Sequence, residues 1–156
     1  MRRSDREITD WQDTLAIIES CDVCRLGLND NGRIYIVPMN FGFLTEDGHM
    51  TLYFHCAHEG RKLDILRVHP QVGFEMDCDH QLFPGNEACQ YGMRYASVIG
   101  EGLMTIVETD VEKRDGLAAI MKKYAPERTF TFDQAALDYV TVLRLDVSEW
   151  SAKRRA

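Results

Sequence analysis

The sequence predicts a mainly β protein, an antiparallel β-barrel with inserted helices. Three observations carry that expectation. Apolar segments rich in β-branched and aromatic residues recur along the chain. Two of the gaps between them, Asn29-Asp30-Asn31-Gly32 and Glu46-Asp47-Gly48-His49, are tight-turn sequences, because Asn and Gly tolerate positive φ. Helical segments are too few to supply the crossovers of a parallel sheet.

Residues 10–20 open the pattern as a helix, with Trp11, Leu15 and Ile18 on one face and Thr9 or Asp10 as the cap. Strands follow at 23–28 and 33–43, joined by the first turn, and at 50–55 after the second. Residues 59–70 read as a short helix carrying Leu63, Ile65 and Leu66 and ending before Pro70. Strand pattern returns at 71–77. Residues 78–94 hold Pro84, Gly85, Gly92 and many polar groups, which suits a loop. Residues 95–108 form a long strand in which Gly100 and Gly102 suggest a bulge. Asp110 opens a helix expected to turn Val111, Leu117, Ile120 and Met121 inward. A loop from Pro126 to Gln134 leads to a closing strand at 139–147.

The 156 residues suit a single domain spanning 1–156, long enough to bury a core without disulfide bonds. The 18 basic and 25 acidic residues give a net charge of −7, which argues against a general nucleic-acid binder. Arg2-Arg3 and Lys153-Arg154-Arg155 read as solvated tails. No apolar run approaches the ~18–20 residues of a membrane span. The opening MRRSDREITDW lacks the apolar stretch of a secretory signal, so a cytoplasmic location is expected. Five cysteines, an odd number, fit a reducing compartment.

The most informative stretch is TLYFHCAHEGRKLDILRVHP, where a strand ends at Phe54-His55 and a helix starts near Gly60. Free N–H groups at a helix start attract anions. Arg61 and Lys62 occupy the first turn, where cations oppose the helix dipole. They make sense there facing a bound anion, with Gly60 allowing close backbone approach. Two ordinary solvent-exposed basic residues are the other reading. His55 and His58, with Cys56, Cys78, Cys89 and His80, raise the question of zinc, but their spacing matches no ligand set and no metal is expected. Cys21-Asp22-Val23-Cys24 is a lone CxxC that enters a strand, so both cysteines read as core residues. Neither a GxSxG elbow nor a GxGxxG loop occurs.

Taken together, CRLGLNDNGRIYIVPMNFGF, MTLYFHCAHEGRKLDILRVHP, VGFEMDCDHQL and CQYGMRYASVIGEG resemble the pyridoxamine 5′-phosphate oxidase-like flavoproteins, in the branch related to nitroimidazole-resistance proteins. The resemblance covers roughly residues 1–110, with the closing strand and Trp150 extending it. It implies an FMN-binding split barrel that forms a homodimer with flavin mononucleotide at the interface. By that resemblance, Gly60, Arg61 and Lys62 hold the phosphate, and His55, Cys56 and Ala57 line the flavin edge. Val37, Pro38, Met39 and Asn40 form the strand whose backbone meets the ring. Ser97 approaches from the second subunit. Pro38, Met39 and Phe54 are expected to build an apolar slot for the ring, and His55 is the candidate catalytic residue beside a small-molecule substrate.

The implied activity is a flavin-dependent oxidoreduction of nitroreductase type, in which the cofactor performs the electron transfer. The alternative is a non-catalytic protein that stores or senses flavin or haem. The C-terminal WSAKRRA lacks the basic and histidine residues with which pyridoxamine phosphate oxidases hold substrate phosphate, so that reaction is not implied.

Overall fold

Both tight turns form as their residues dictate. In the computed structural model, which describes residues 4–156, Asn31 and Gly32 take φ of 50° and 88°, and Asp47 and Gly48 take 49° and 80°. Positive φ at both central positions matches the twist of the flanking strands. The first turn joins β2 (Cys24–Asp30) to β3 (Arg33–Met39), and the second joins β4 (Gly42–Glu46) to β5 (His49–Cys56). The Gly32 N–H donates to the Asn29 side chain at 2.8 Å and fixes the first turn.

Around these hairpins lie β1 (Glu7–Ile8), α1 (Trp11–Ser20), α2 (Arg61–Val68), β6 (Gln71–Phe83), β7 (Gly92–Ile106), α3 (Asp110–Tyr124), α4 (Gln134–Tyr139) and β8 (Thr141–Arg155). The described strands form one antiparallel sheet in the order β3-β2-β6-β7-β8-β5-β4, with β1 added along the end of β8. Alternation puts Leu26 and Leu28 of β2, Phe74 and Met76 of β6, Leu52 and Phe54 of β5, and Leu143 and Leu145 of β8 on the inner face. Ile17 and Ile18 of α1 and Leu63 and Leu66 of α2 complete that core. Outside the barrel, α3 and α4 cover Tyr53 and Val142, burying Leu117, Ile120 and Leu137 in a second cluster.

Several sequence expectations are corrected. The loop expected over 78–94 is confined to 84–91: β6 and β7 continue their ladder to Phe83 and Gly92 past a bulge between Cys78 and Gln81. That end of the hairpin projects beyond the core, so its residues are largely exposed and polar. The closing strand does not stop at 147. It runs to Arg155, and Lys153, Arg154 and Arg155 are half-buried and paired with β7, Lys153 also with β1, rather than being a solvated tail. Arg2 and Arg3 lie outside the described residues. The span 33–43 breaks after Met39, where fully buried Phe41 donates its N–H to the Tyr124 hydroxyl at 3.2 Å. Val111 is 71% exposed, because the residues that α3 buries are Gly116, Leu117, Ala119 and Ile120. The bulge expected around Gly100 and Gly102 is present, as a register shift between Glu101 and Gly102.

At Gly42 an added Cβ would lie 2.3 Å from the Ala119 carbonyl carbon and 2.3 Å from the Ile120 nitrogen. Gly42→Ala should therefore cost about 1–3 kcal/mol by forcing β4 and α3 apart. A denaturant melt followed by circular dichroism measures this, and an unchanged midpoint would contradict the close approach.

Candidate functional site

β5 ends at Cys56 and the chain turns through Ala57, His58 and Glu59 to Gly60, the N-cap of α2, whose φ of 138° suits glycine. No side chain caps this helix. The Gly60 carbonyl accepts from the N–H groups of Leu63 at 2.9 Å and Asp64 at 3.3 Å. The N–H groups of Arg61 and Lys62 precede those first helical bonds and carry the positive end of the helix dipole.

The two cations of this turn differ in what they face. Arg61 donates to Asp30 through Nη2 at 2.7 Å and Nε at 3.2 Å, and its guanidinium lies 4.5 Å from the centre of the Tyr35 ring. The placement of Arg61 is therefore explained within the chain, which corrects the expectation that both cations need an outside anion. Lys62 is half-buried and, among the described residues, has no hydrogen-bond or ion-pair partner. Its charge acts on Cys56, where burial pushes the thiol up and Lys62 partly offsets that push.

Strand alternation separates the remaining candidates. Phe54 points into the barrel and is fully buried, while Cys56 packs half-buried against the same core. His55 points outward beside Val142 of β8 and is exposed. His55, Cys56, Ala57 and His58 line a cavity of about 450 Å³ whose far wall is Asp138, Tyr139 and Val140. The His58 ring is tied down: its Nε2 donates to the Asp138 carbonyl at 2.6 Å, so its Nδ1 accepts from the Thr141 hydroxyl at 3.0 Å. Sequence reasoning missed the far wall, although Asp133 as a cap before Gln134-Ala135-Ala136-Leu137 is a readable helix start.

On β3, Val37 and Met39 pack against the core, Pro38 points outward, and Asn40 is exposed past the strand end. The slot expected from Pro38, Met39 and Phe54 is thus not formed. Pro38 and Met39 sit on opposite faces, and Phe54 is consumed by the core. Ser97 pairs with Asp77 and Lys153. Val142, the partner of His55, and Lys153, the partner of Ser97, lie far apart along β8, about 36 Å of extended strand. Ser97 and His55 thus sit toward opposite ends of β8.

Elsewhere, Cys21 ends α1 and Cys24 begins β2, both fully buried, and burial pushes both thiols up. His80 and Arg25 both pair with Asp77, and although burial opposes it, their hydrogen bonds hold that carboxyl below its usual range. Among the described residues, no group of three or more His, Cys, Asp or Glu is placed to hold a metal, and no helix is long and apolar enough to cross a membrane.

An antiparallel split barrel with an uncapped, glycine-led helix at its rim defines a recognisable class. A sequence model of the family described as pyridoxamine 5′-phosphate oxidase matches residues 10–154, and the chain belongs to that family. Among solved structures, it is 32% identical to a Bacteroides thetaiotaomicron protein provisionally assigned to 5-nitroimidazole antibiotic resistance, with a TM-score of 0.82 over 95% of this chain and 86% of that one. A Mycobacterium smegmatis protein described as binding FAD and haem is 17% identical, with a TM-score of 0.83 over 96% of this chain and 73% of that one. The flavocytochrome Anf3 of Azotobacter vinelandii is 19% identical, with a TM-score of 0.81 over 100% and 72%. The last two share the fold. No curated protein matches the chain.

The cysteines provide a direct check of these placements. Exposed Cys89 should react with a thiol reagent at once, and half-buried Cys56 slowly. Cys21, Cys24 and Cys78 should react only on unfolding. Counting released chromophore in native buffer and in guanidinium tests this; three fast thiols in the native protein would contradict it.

Proposed function

We propose that the chain is a flavoprotein that holds FMN with its phosphate at the start of α2, and that it is an oxidoreductase acting on a small organic substrate. The observation that carries this reading is Lys62, a half-buried cation without a partner among the described residues, set beside uncapped N–H groups. That donor set fits a phosphate: backbone N–H groups and the helix dipole favour the anion, and Lys62 supplies the opposing charge. Arg61, braced by Asp30 and Tyr35, holds the turn in place. When bound, the flavin supplies the electron transfer. The chain's part is to anchor the phosphate, present His55 near the reacting end and limit water there. The relative assigned to nitroimidazole resistance favours reduction of a nitro group, with a reduced nicotinamide cofactor as donor.

The site is completed by a second copy of the chain. Ile34 and Ile36 on β3 are 73% and 63% exposed, and Ile99 and Leu103 on β7 are 48% and 50% exposed, all on the outer face of the sheet. Gly27 and Gly73 lie between them and keep that face flat. The same face carries the Arg25–Glu75 and Arg25–Asp77 ion pairs, and a flat face that mixes apolar side chains with paired charges suits a homodimer contact. It would bring Ser97 of one copy toward the helix start of the other.

A second reading, non-catalytic storage or sensing of flavin or haem, is favoured by the fold shared with proteins described as binding FAD and haem. The absorbance spectrum separates the two cofactors: flavin bands support the first reading and a Soret band the second. Consumption of a nitroaromatic with a reduced nicotinamide cofactor separates catalysis from storage. A colourless protein that takes up no added FMN would refute the flavin assignment.

Lys62→Ala should weaken FMN binding about tenfold to a hundredfold, the loss of one charged hydrogen bond, and Lys62→Arg should restore most of it. Fluorescence quenching of titrated FMN reads the affinity; no change in Lys62→Ala would overturn the phosphate site. Ile36→Glu should halve the mass in solution and lower FMN retention. A monomer that retains FMN at full affinity would separate the cofactor from the interface.

A further inference from the structure

The cavity between the end of β5 and α4 has features that a phosphate site does not use. At about 450 Å³ it is the size of a small-molecule pocket, and its lining is mostly apolar. Tyr139 is 81% exposed at its mouth, yet the segment bearing it is firmly held. The Asp133 side chain caps α4 by accepting from the Ala136 N–H at 2.9 Å, Leu137 is fully buried, and the Asp138 carbonyl takes the His58 proton at 2.6 Å. The backbone that carries Tyr139 is thus held in place, and its exposed ring offers a stacking surface at the mouth of the cavity.

The polar groups of the cavity narrow what it can hold. Both nitrogens of His58 are engaged, and the Asp138 carboxylate accepts from the Gln134 side chain at 2.9 Å. His55 has no hydrogen-bond partner among the described residues, so its ring is open to a ligand. No lysine or arginine lines the cavity, and with Lys62 committed to the cofactor phosphate an anionic ligand would meet Asp138 without a compensating charge.

We propose that Tyr139 is a specificity-determining residue: its ring stacks on the flat face of an uncharged aromatic substrate in this cavity, with His55 meeting the polar substituent of that substrate. The proposal deepens the oxidoreductase reading and rests on it for the chemistry, but the pocket itself is built by one chain from β5, the β5–α2 turn and α4. Cys56 belongs to the cavity wall, and its thiol feels the charge of Lys62 from the following helix.

The test uses the FMN-loaded chain, with nitrobenzene as the neutral probe and 4-nitrobenzoate as its charged counterpart, titrated by calorimetry. Tyr139→Ala should weaken nitrobenzene about fivefold to tenfold, the loss of one aromatic stacking contact. Tyr139→Phe should bind as the parent does. Both variants should keep the parent's FMN affinity and mass in solution, and 4-nitrobenzoate should bind the parent at least about tenfold more weakly than nitrobenzene. Absent nitrobenzene binding, an unchanged affinity in Tyr139→Ala, or equal binding of 4-nitrobenzoate would each overturn the proposal. So would a change of mass in Tyr139→Ala, which would make the ring a subunit contact. Repeating the titration without FMN keeps the two readings apart. Ring binding in a chain that takes up no flavin would refute the flavin reading alone. Tight FMN binding with no Tyr139 effect would refute the pocket alone.

Discussion

At Gly100 and Gly102 the backbones of β7 and β8 approach so closely that a Cβ would lie 2.4 Å from the Glu149 carbonyl oxygen and 2.1 Å from that of Asp146. The register slips there, and a bulge of this kind bends a strand and tightens its twist. The Phe74 ring fills the space over Gly100, at 2.7 Å from where a side chain would begin. The bend turns a long antiparallel ribbon around a core. In the sheet order β5 lies on one side of this pair and β2 on the other, and α2 packs on β2 with Leu63 and Leu66 in the core.

Within this acidic chain most structural cations answer to a carboxylate or a carbonyl. Arg25 meets Glu75 and Asp77, and Arg144 meets Glu112 and Asp146. Lys123 donates to the carbonyls of Ile18 and Glu19 at the end of α1, where a cation is favoured by the helix dipole. Lys62 is placed in the opposite sense, at a helix start, with a thiol as its neighbour. The contrast between Lys123 and Lys62 is what singles out Lys62 as a candidate site residue.

The architecture was legible where local chemistry decides it. The Asn31-Gly32 and Asp47-Gly48 turns, the bulge at Gly100–Gly102 and the helix led by Gly60 could all be read from the residues, because glycine and asparagine reveal positive φ and close backbone approach. The far half of the β6–β7 hairpin was not, because residues that project past the core carry no buried face and so no alternation. At the candidate site, the glycine-led helix start carrying Lys62 and the turn that follows β5 were legible as local structure. The partner of Arg61 was not, since Asp30 belongs to a distant hairpin. Phe54 illustrates the limit: an aromatic next to a candidate histidine reads as a lining residue, and only the strand's alternation shows that it faces the other way.

β8 pairs with β1, β5 and β7, and it follows all three in sequence. During synthesis β5 and β7 therefore emerge from the ribosome with unpaired edges, and the barrel stays open until the last long strand is available. Unpaired strand edges are templates for pairing between chains, and contacts that span so much of the sequence form slowly. The interval between translation of β7 and arrival of β8 is thus when a nascent chain is most exposed to aggregation and most dependent on chaperones. A fold whose keystone strand is made last links the yield of native protein to the pace of elongation.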